Sequence, residues 1–372
     1  MSPEGISQEL YYQIALSLVP GVGPVMAKSL IGYCGGAEAV FTEKKSRLAK
    51  IPYVGKTSVD SITAFHDFEM VDQEIQFIER SGIRAIPFGS NDYPLRLRQE
   101  MDSPLVLYSK GNTNLNHHRI VGIVGTRKNT FQGAEITRKI VEGLKKYDVI
   151  IASGLAYGID ICAHKACLEF DIPTIGVVAH GLDILYPGHH KAYAKKMVET
   201  GGAVLSEHIS GTALNPDLFP RRNRIVAALC DCIIVIESKG SGGSMITAEI
   251  ASGYNRDVFA VPGRPTDLMS EGCNALIKNL KAALCESAED IAHGMNWDLP
   301  EKFNTVPRQT EMFMELNAEE KKVMDILIQK ETCFDDIFLE TQIPVSKLSF
   351  ILLDMEMRGL LRSMPGKKYA KG

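Results

Sequence analysis

The chain has 372 residues, 45% of them hydrophobic, and a formal net charge of −4. This length and apolar content suffice for two or three globular domains, and no apolar stretch approaches the roughly 20 residues of a membrane-spanning helix. The N-terminus lacks a signal-peptide pattern, so we expect a cytoplasmic protein without membrane contact. The weak net charge does not by itself indicate a nucleic-acid-binding protein, although local clusters of Lys and Arg can still contact phosphates.

Residues 1–78 are predicted to form a small helical domain. Two similar segments, Gly21-Val22-Gly23 and Tyr53-Val54-Gly55, each precede a helical pattern. They resemble the helix-hairpin-helix of SAM-like domains, whose hairpin exposes backbone amides to a DNA phosphate. The second copy lacks the first glycine, although Lys56 follows it. Contact with DNA and tight packing of the hairpins are both open interpretations.

Residues 79–295 are predicted to form one α/β domain around a doubly wound parallel sheet. Short strands and turns over residues 83–111 lead into it, and apolar strands then alternate with helical patterns. Such alternation is typical of a parallel sheet whose ligand site lies at the carboxyl ends of the strands. A helix over residues 273–284 is expected to close the domain. The predicted strands are residues 120–124, 149–152, 174–179, 203–206, 232–236 and 257–261.

Glycine turns follow three of these strands at one edge of the sheet. Gly125, Gly154 and the run Gly240-Ser241-Gly242-Gly243 each precede a helical pattern. A helix N-terminus presents unpaired N–H groups and partial positive charge, and it therefore stabilises a phosphate. Arg127 and Lys128 add full positive charges beside the first turn. The first turn lacks the G-x-G-x-x-G spacing of dinucleotide-binding proteins, so the sequence predicts an anion site without specifying a dinucleotide.

The first turn of another predicted helix carries three arginines, among them Arg222 and Arg224. Cations are disfavoured at the positive end of a helix dipole, so these side chains need an anionic partner. A polyanion suits them because guanidinium groups match phosphate oxygens bidentately. Nearby Phe219 and Tyr186 are candidates for base stacking, with a core position as the alternative for Tyr186. The alternative partners for the arginines are three carboxylates, Asp217, Glu207 and Glu237.

We expect no catalytic centre, no metal site and no cofactor. Asp160 and His164 lie one helical turn apart without a nucleophile elbow or a metal-ligand pattern, so we predict a loop-structuring role for them through hydrogen bonds. The pair His189-His190 lacks a second ligand cluster at suitable spacing. The eight cysteines are scattered, which indicates small buried thiols rather than disulfides.

The C-terminal part is predicted to comprise a linker over residues 296–316 and a winged helix over residues 317–372. Helical patterns at 318–329, 334–340 and 345–358 precede a hairpin with Pro365-Gly366 at its turn. Pro344, at the start of the third helix, fits the preference for proline in a first turn.

Seven sequence blocks lie within about residues 80–290: GTR-x5-G, SGLAYGID-x-x-AH, GLDILYP, SE, FPRRNRIVAAL, SGGSMITAEIA and VPG. In this order and spacing they resemble the DNA-processing protein A (DprA/Smf) family. The resemblance implies an extended Rossmann-like domain that binds single-stranded DNA, with a helical domain before it and a winged helix after it. A further block departs from the family pattern, because this chain has NALIKNLKAAL where the family usually has Gly-Ala after N-x-L-I. That departure concerns the closing helix and its loop.

The resemblance also implies a non-catalytic homodimer that protects incoming DNA and loads the recombinase RecA during natural transformation. The partner of the winged helix, duplex DNA or protein, is open. Replacing Arg222 and Arg224 together is expected to weaken single-strand binding and to flatten its salt dependence. With Lys128 added from its charge, the DNA-binding candidates are Gly125, Arg127, Lys128, Ser153, Gly154, Phe219, Arg222, Asn223, Arg224, Ser241, Gly242, Gly243 and Ser244.

Two other classes of function are open. A nucleotide-processing enzyme similar to the lysine-decarboxylase-like phosphoribohydrolases would share a glycine-rich turn followed by T-x-x-E, but SGGSMITAE differs from the PGGxGTxxE of those enzymes. A regulator acting through the winged helix would bind specific duplex DNA through residues 310–372 alone.

Overall fold

A computed structural model describes residues 6–297, 316–329, 332–358, 360–364 and 368–371. The chain divides into two compact units, Met1–Leu299 and Pro300–Gly372, which are described separately. Within the described residues, no helix is both long enough and apolar enough to cross a bilayer. The predicted linker falls almost entirely outside the described residues, and the predicted domain boundaries stay predictions.

The N-terminal region is helical, and both predicted hairpins precede helices. Its helices are α1 (Gln8–Leu18), α2 (Pro24–Cys34), α3 (Ala37–Thr42), α4 (Lys45–Leu48), α5 (Lys56–Thr63) and α6 (Phe68–Ser81). Val22 and Val54, at the centres of the hairpins, are buried in one shared core. Gly21 and Tyr53 occupy corresponding positions and both have positive φ, 80° and 66°. The hairpin conformation is thus retained although tyrosine replaces the first glycine.

The middle of the chain forms one large, mostly parallel sheet. Its strands are β1 (Arg84–Pro87), β2 (Val106–Gly111), β3 (Ile120–Val124), β4 (Ile150–Ser153), β5 (Thr174–Val177), β6 (Ala203–Ser206), β7 (Cys232–Val235), β8 (Asp257–Ala260) and β9 (Ala283–Leu284). Their order across the sheet is β1-β2-β6-β5-β4-β3-β7-β8-β9. Only the pairs β1/β2 and β2/β6 are antiparallel. The six strands predicted from the alternating pattern are confirmed, each to within about two residues.

Helices cover both faces of the sheet, which confirms the α/β, Rossmann-like class. They are α7 (Leu95–Arg98), α8 (Phe131–Leu144), α9 (Ile159–Glu169), α10 (Lys191–Glu199), α11 (Leu218–Leu229), α12 (Gly243–Gly253), α13 (Glu271–Lys278) and α14 (Ala288–Gly294). Helices α11, α12 and α13 pack in one core with Ile120, whereas α8, α9 and α14 pack in another with Val121. Neighbouring residues of β3 therefore face different cores, which explains why the strand is a continuous apolar run.

The prediction of a closing helix over residues 273–284 was wrong for the second half of that range. Helix α13 ends at Lys278, and Leu280 has a left-handed φ of 56°. The N–H of Lys281 donates to the carbonyl of Leu276 at 2.9 Å, a bond that ends a helix by wrapping back onto its last turn. The chain then forms β9, which pairs with β8. This is the block in which the sequence departs from the family pattern.

The C-terminal unit has the elements of a winged helix, as predicted. It contains α15 (Ala318–Gln329), β10 (Thr332–Cys333), α16 (Phe334–Thr341), α17 (Val345–Met357), β11 (Leu361–Met364) and β12 (Lys368–Lys371). The strands form an antiparallel sheet in the order β10-β12-β11. Val323, Ile337 and Leu352, one from each helix, are buried in its core. The predicted turn at Pro365-Gly366 lies outside the described residues.

Candidate nucleic-acid interface

The three glycine turns meet at the carboxyl ends of β3, β4 and β7. The N–H of Thr126 donates to the carbonyl of Glu237 (2.7 Å), and the N–H of Ile159 donates to the carbonyl of Thr126 (3.1 Å). Gly158 has a φ of 83°, and a Cβ there would lie 2.0 Å from the carbonyl oxygen of Thr126. Only glycine allows this approach. We call the surface formed by residues 125–128, 153–158 and 239–243 and the start of α11 the rim.

A cavity of about 380 Å³ opens between the three turns and α11. Arg127, Lys239, Ser241 and Gly243 line it and are solvent-exposed. Helix α12 begins at Gly243, and the first N–H groups of a helix have no intrahelical acceptor, so this wall favours an anion. Lys239 was missed by the sequence reasoning, although its position beside the third glycine turn was a usable signal.

An aromatic groove adjoins the cavity and shares Arg127 with it. The guanidinium carbon of Arg127 lies 5.1 Å from the ring centre of Phe219, and the Phe219 and Tyr186 rings are 6.1 Å apart. Tyr186 is 44% exposed, which argues against a core position for it. Leu214 and Ile246 extend the apolar lining. Sequence analysis missed these two because only the fold brings them together.

Arg222 is buried rather than presented to solvent. Its side chain is 4% exposed, and its guanidinium donates to the carbonyl oxygens of Gly154 and Val177. Burial lowers its pKa to about 10, so the group stays charged at neutral pH, opposite Asp160. Arg222 therefore joins the ends of β4 and β5 and forms part of the cavity lining. The sequence did not reveal this role because it depends on the depth of the side chain.

Arg224 has an intramolecular partner. Its guanidinium pairs with the carboxylate of Glu207, and Asp102 lies 3.9 Å from its Nε. Of the carboxylates considered from the sequence, Glu207 is therefore the one that compensates this arginine. Glu237 instead accepts from the N–H of Thr130 at 2.9 Å, next to the start of α8. The prediction that Arg224 faces a phosphate is not supported by its position in the structure.

The remaining candidates divide by accessibility. Ser153 is fully buried and donates to the carbonyl of Ile123 at 2.6 Å, and Ser244 is buried and donates to Ser238 Oγ at 2.8 Å. These two hydroxyls stabilise the turns instead of facing solvent. Lys128 is exposed beside Arg127. The candidates that line the cavity are Gly125, Arg127, Gly154, Arg222, Asn223, Ser241, Gly242, Gly243 and Ser244.

Asp160 and His164 are both buried and hydrogen-bonded to neighbouring elements. The carboxylate of Asp160 accepts from the backbone of Gly154 and Ala156, and burial raises its pKa although Arg222 offsets part of the effect. His164 Nδ1 lies 2.8 Å from Thr174 Oγ1, which in turn donates to the carbonyl of Ile151. Burial lowers the pKa of His164 to about 3. These contacts hold the second turn and fix α9 against the sheet.

Two family models match this chain. DNA recombination-mediator protein A matches residues 84–296, and the DprA winged helix domain matches residues 313–367. Protein Smf of a Synechocystis strain is 30% identical over 398 residues, covering 98% of this chain and 99% of the relative. DNA processing protein DprA of Streptococcus pneumoniae is 41% identical over 199 residues, 54% of this chain and 70% of the relative.

Two solved structures are similar as well. The crystal structure of DprA from Streptococcus pneumoniae aligns with a TM-score of 0.64 and 32% identity, covering 77% of this chain and 98% of that one. DNA processing protein A from Helicobacter pylori, described for its single-stranded DNA binding mode, aligns with a TM-score of 0.51 and 28% identity, covering 57% and 95%. The chain therefore belongs to the DNA recombination-mediator protein A family, whose members are named DprA or Smf.

Proposed function

We propose that this protein binds single-stranded DNA along the rim and acts in DNA processing during natural transformation. It does so in the cytoplasm as a non-catalytic homodimer that protects incoming DNA and loads RecA. One observation carries the proposal: exposed Arg127 joins an anion-binding cavity to an aromatic groove. The single-stranded DNA binding described for the relative from Helicobacter pylori supports it.

The rim and the adjoining aromatic groove each suit one part of a single strand. Exposed Lys239, Ser241 and the start of α12 at Gly243 suit a phosphate, because they combine positive charge with hydrogen-bond donors. Phe219 and Tyr186 offer ring faces on which bases stack regardless of their identity. Contacts of these two kinds position the strand without reading base edges. We therefore expect binding with little sequence preference.

The rival enzyme function is less well supported by the rim. Asp160 lines the cavity but is buried opposite Arg222, and His164 is buried, neutral near pH 7 and hydrogen-bonded to Thr174. Glu237 accepts hydrogen bonds beside the start of α8. These acid and base groups are engaged in packing, and a general acid or base must instead reach its substrate. The buried network therefore favours binding over turnover.

Fluorescence anisotropy with the full-length protein tests the proposal. Binding to oligo(dT) and to a duplex of equal length would be measured across a salt series. We expect the wild type to prefer the single strand strongly. In Arg127→Ala, the slope of the logarithm of the binding constant against the logarithm of the salt concentration should become shallower by about 0.7, which is the contribution of one phosphate contact. Arg80→Ala is the matched control, because Arg80 is exposed on α6 and bonded to Gln76.

Four results would overturn the proposal or part of it. Preference for the duplex would shift the function to the winged helix, whose partner would then be duplex DNA. Hydrolysis of a nucleoside monophosphate by the purified protein would establish the rival enzyme. A monomer mass in light scattering, or no effect on RecA filament formation on single strands, would remove the corresponding part of the proposal.

A further inference from the structure

A cluster of metal-ligating side chains lies at the edge of the sheet opposite the rim. His117 and His118 precede β3, and Asp148 precedes β4, so all three stand at the amino ends of these parallel strands. Asp148 Oδ2 lies 3.5 Å from His117 Nε2 and 3.7 Å from His118 Nε2. The ligand atoms of the three residues all lie within 4.8 Å of one another. Two imidazoles and a carboxylate thus converge on one point.

We propose that His117, His118 and Asp148 bind one Zn²⁺ ion. Zinc takes imidazole nitrogen and carboxylate oxygen at about 2.0–2.2 Å in a tetrahedron, so its ligand atoms stand roughly 3.3–3.5 Å apart. The two nitrogen–oxygen distances here come within a few tenths of an ångström of that spacing. Three protein ligands leave the fourth position to water. Mg²⁺ and Ca²⁺ fit poorly, because they prefer oxygen ligands throughout.

Arg96 holds the backbone of the histidine pair. Its guanidinium donates to the carbonyl oxygens of His117 (2.8 Å) and His118 (3.1 Å). Asp231 accepts from the same guanidinium at 2.6 and 2.8 Å, which neutralises a charge that would otherwise repel a metal ion. Arg96 therefore fixes the backbone that carries the two imidazoles.

The hydrogen bonds around the proposed ligands also suit metal binding. His117 Nδ1 lies 3.1 Å from the carbonyl oxygen of Arg119 and 3.3 Å from the backbone nitrogen of the same residue. In the tautomer that donates Nδ1–H to this carbonyl, which metal binding would select, the Nε2 lone pair is free for the ion. Arg119 also donates to the carbonyl of Tyr147 at 2.5 Å, which ties the histidine loop to the residue before Asp148. Asp148 has a left-handed φ of 51°, a conformation uncommon for a residue other than glycine and typical of constrained sites.

The sequence analysis predicted no metal site because Asp148 lies far along the chain from the adjacent His117 and His118. Pairing of β3 with β4 brings Asp148 to the histidines. The site is separate from the rim, so its loss is not expected to abolish single-strand binding. Its effect is a cross-link between the two loops that lead into the central strands.

Calorimetric titration of the chelator-treated full-length protein with Zn²⁺ tests the site. We expect one ion per chain in the wild type, and at least about tenfold weaker binding in His118→Ala and Asp148→Asn. Asn tolerates a left-handed backbone, so Asp148→Asn keeps the fold while it removes the charge. His189→Ala is the matched control, because His189 is an exposed histidine outside the cluster, and its zinc affinity should equal that of the wild type.

The single tryptophan provides a second readout that locates the ion. The Arg119 guanidinium lies 5.3 Å from the Trp297 ring centre, and the Tyr147 ring lies 6.4 Å from it. Ni²⁺, a paramagnetic substitute with the same preference for imidazole, should quench Trp297 in the wild type and in His189→Ala but not in Asp148→Asn.

Three outcomes would overturn the proposal. Equal zinc affinity in the wild type and in both ligand variants would place any bound ion elsewhere, for example on the half-buried thiol of Cys34, Cys162 or Cys333. Absence of zinc binding in the wild type would leave only electrostatic contacts between the histidines and Asp148. Nickel binding without a change in Trp297 emission would exclude this edge of the sheet.

Discussion

The pairing of Arg224 with Glu207 predicts that Arg224→Ala lowers stability without changing DNA binding. The two side chains are 13% and 11% exposed, and burial raises the pKa of Glu207 although Arg224 offsets part of that rise. Removing one partner of a buried pair typically costs about 3–5 kcal/mol. Glu207 can take up a proton when Arg224 is lost, which limits the penalty. We therefore expect a loss of about 3 kcal/mol at neutral pH, and a smaller loss at lower pH.

Urea unfolding followed by Trp297 emission measures this loss, because the only tryptophan lies in the first unit. Four proteins form a double-mutant cycle: the wild type, Arg224→Ala, Glu207→Gln and the variant with both changes. The stability lost in the double variant should be smaller than the sum of the losses in the two single variants, because the double variant leaves no unpaired buried charge. Arg221→Ala is the control, because Arg221 is exposed on the same helix and should change stability by no more than about 0.5 kcal/mol.

The salt slope of single-strand binding separates Arg224 from Arg127. Arg127→Ala should make the slope shallower by about 0.7, whereas folded Arg224→Ala should keep the wild-type slope. The sequence alone treated Arg224 as a phosphate contact. If Arg224→Ala flattened the slope as much as Arg127→Ala while leaving stability unchanged, Arg224 would leave Glu207 to reach DNA, and the assignment of this pair to stability would be refuted.

Three further changes test the rim and the core beneath it. Phe219→Ala should weaken single-strand binding by about 1–3 kcal/mol without changing the salt slope, because it removes a stacking surface and no charge. Gly158→Ala should lower the free energy of unfolding by more than about 2 kcal/mol, because a Cβ there meets Thr126 and φ is positive. Burial lowers the pKa of His164 to about 3 and of His208 to about 4. Between about pH 6.5 and 4 these histidines bind more protons in the unfolded chain than in the folded one. The free energy of unfolding therefore falls as the pH drops through that window, by up to about 1.4 kcal/mol per pH unit for each histidine.

Each of these changes has a control. Tyr33→Ala removes an exposed ring on α2 and should leave single-strand affinity unchanged; an equal loss in both variants would contradict stacking on Phe219. Gly253→Ala adds a Cβ that meets no atom within 4 Å, so it should not destabilise. His164→Asn should remove that histidine's share of the pH slope in urea unfolding, and an unchanged slope would contradict its neutral buried state.

Much of the architecture was predictable because it depends on local pattern. Continuous apolar strands separated by helical periodicity predicted the parallel sheet, and three helical patterns before a hairpin predicted the winged helix. The closing segment was harder to predict, because its helix ends at Lys278 and the chain then turns at Leu280, a left-handed residue that is not a glycine. Likewise, Tyr53 adopts the left-handed conformation expected of glycine, and the next residue, Val54, packs in the shared core.

The sequence by itself determined the fold class, the family and the edge of the sheet where the glycine turns meet, because the alternation of strands with helices and the composition of the turns are local features of the chain. Only the tertiary structure decided which charges remain available. Arg222 and Arg224 lie two positions apart, yet one bonds to buried carbonyl oxygens and the other to Glu207, whereas Arg127 stays exposed above Phe219. Burial and pairing depend on residues far apart in sequence, and they determine whether an arginine can reach a phosphate or instead stabilises the protein.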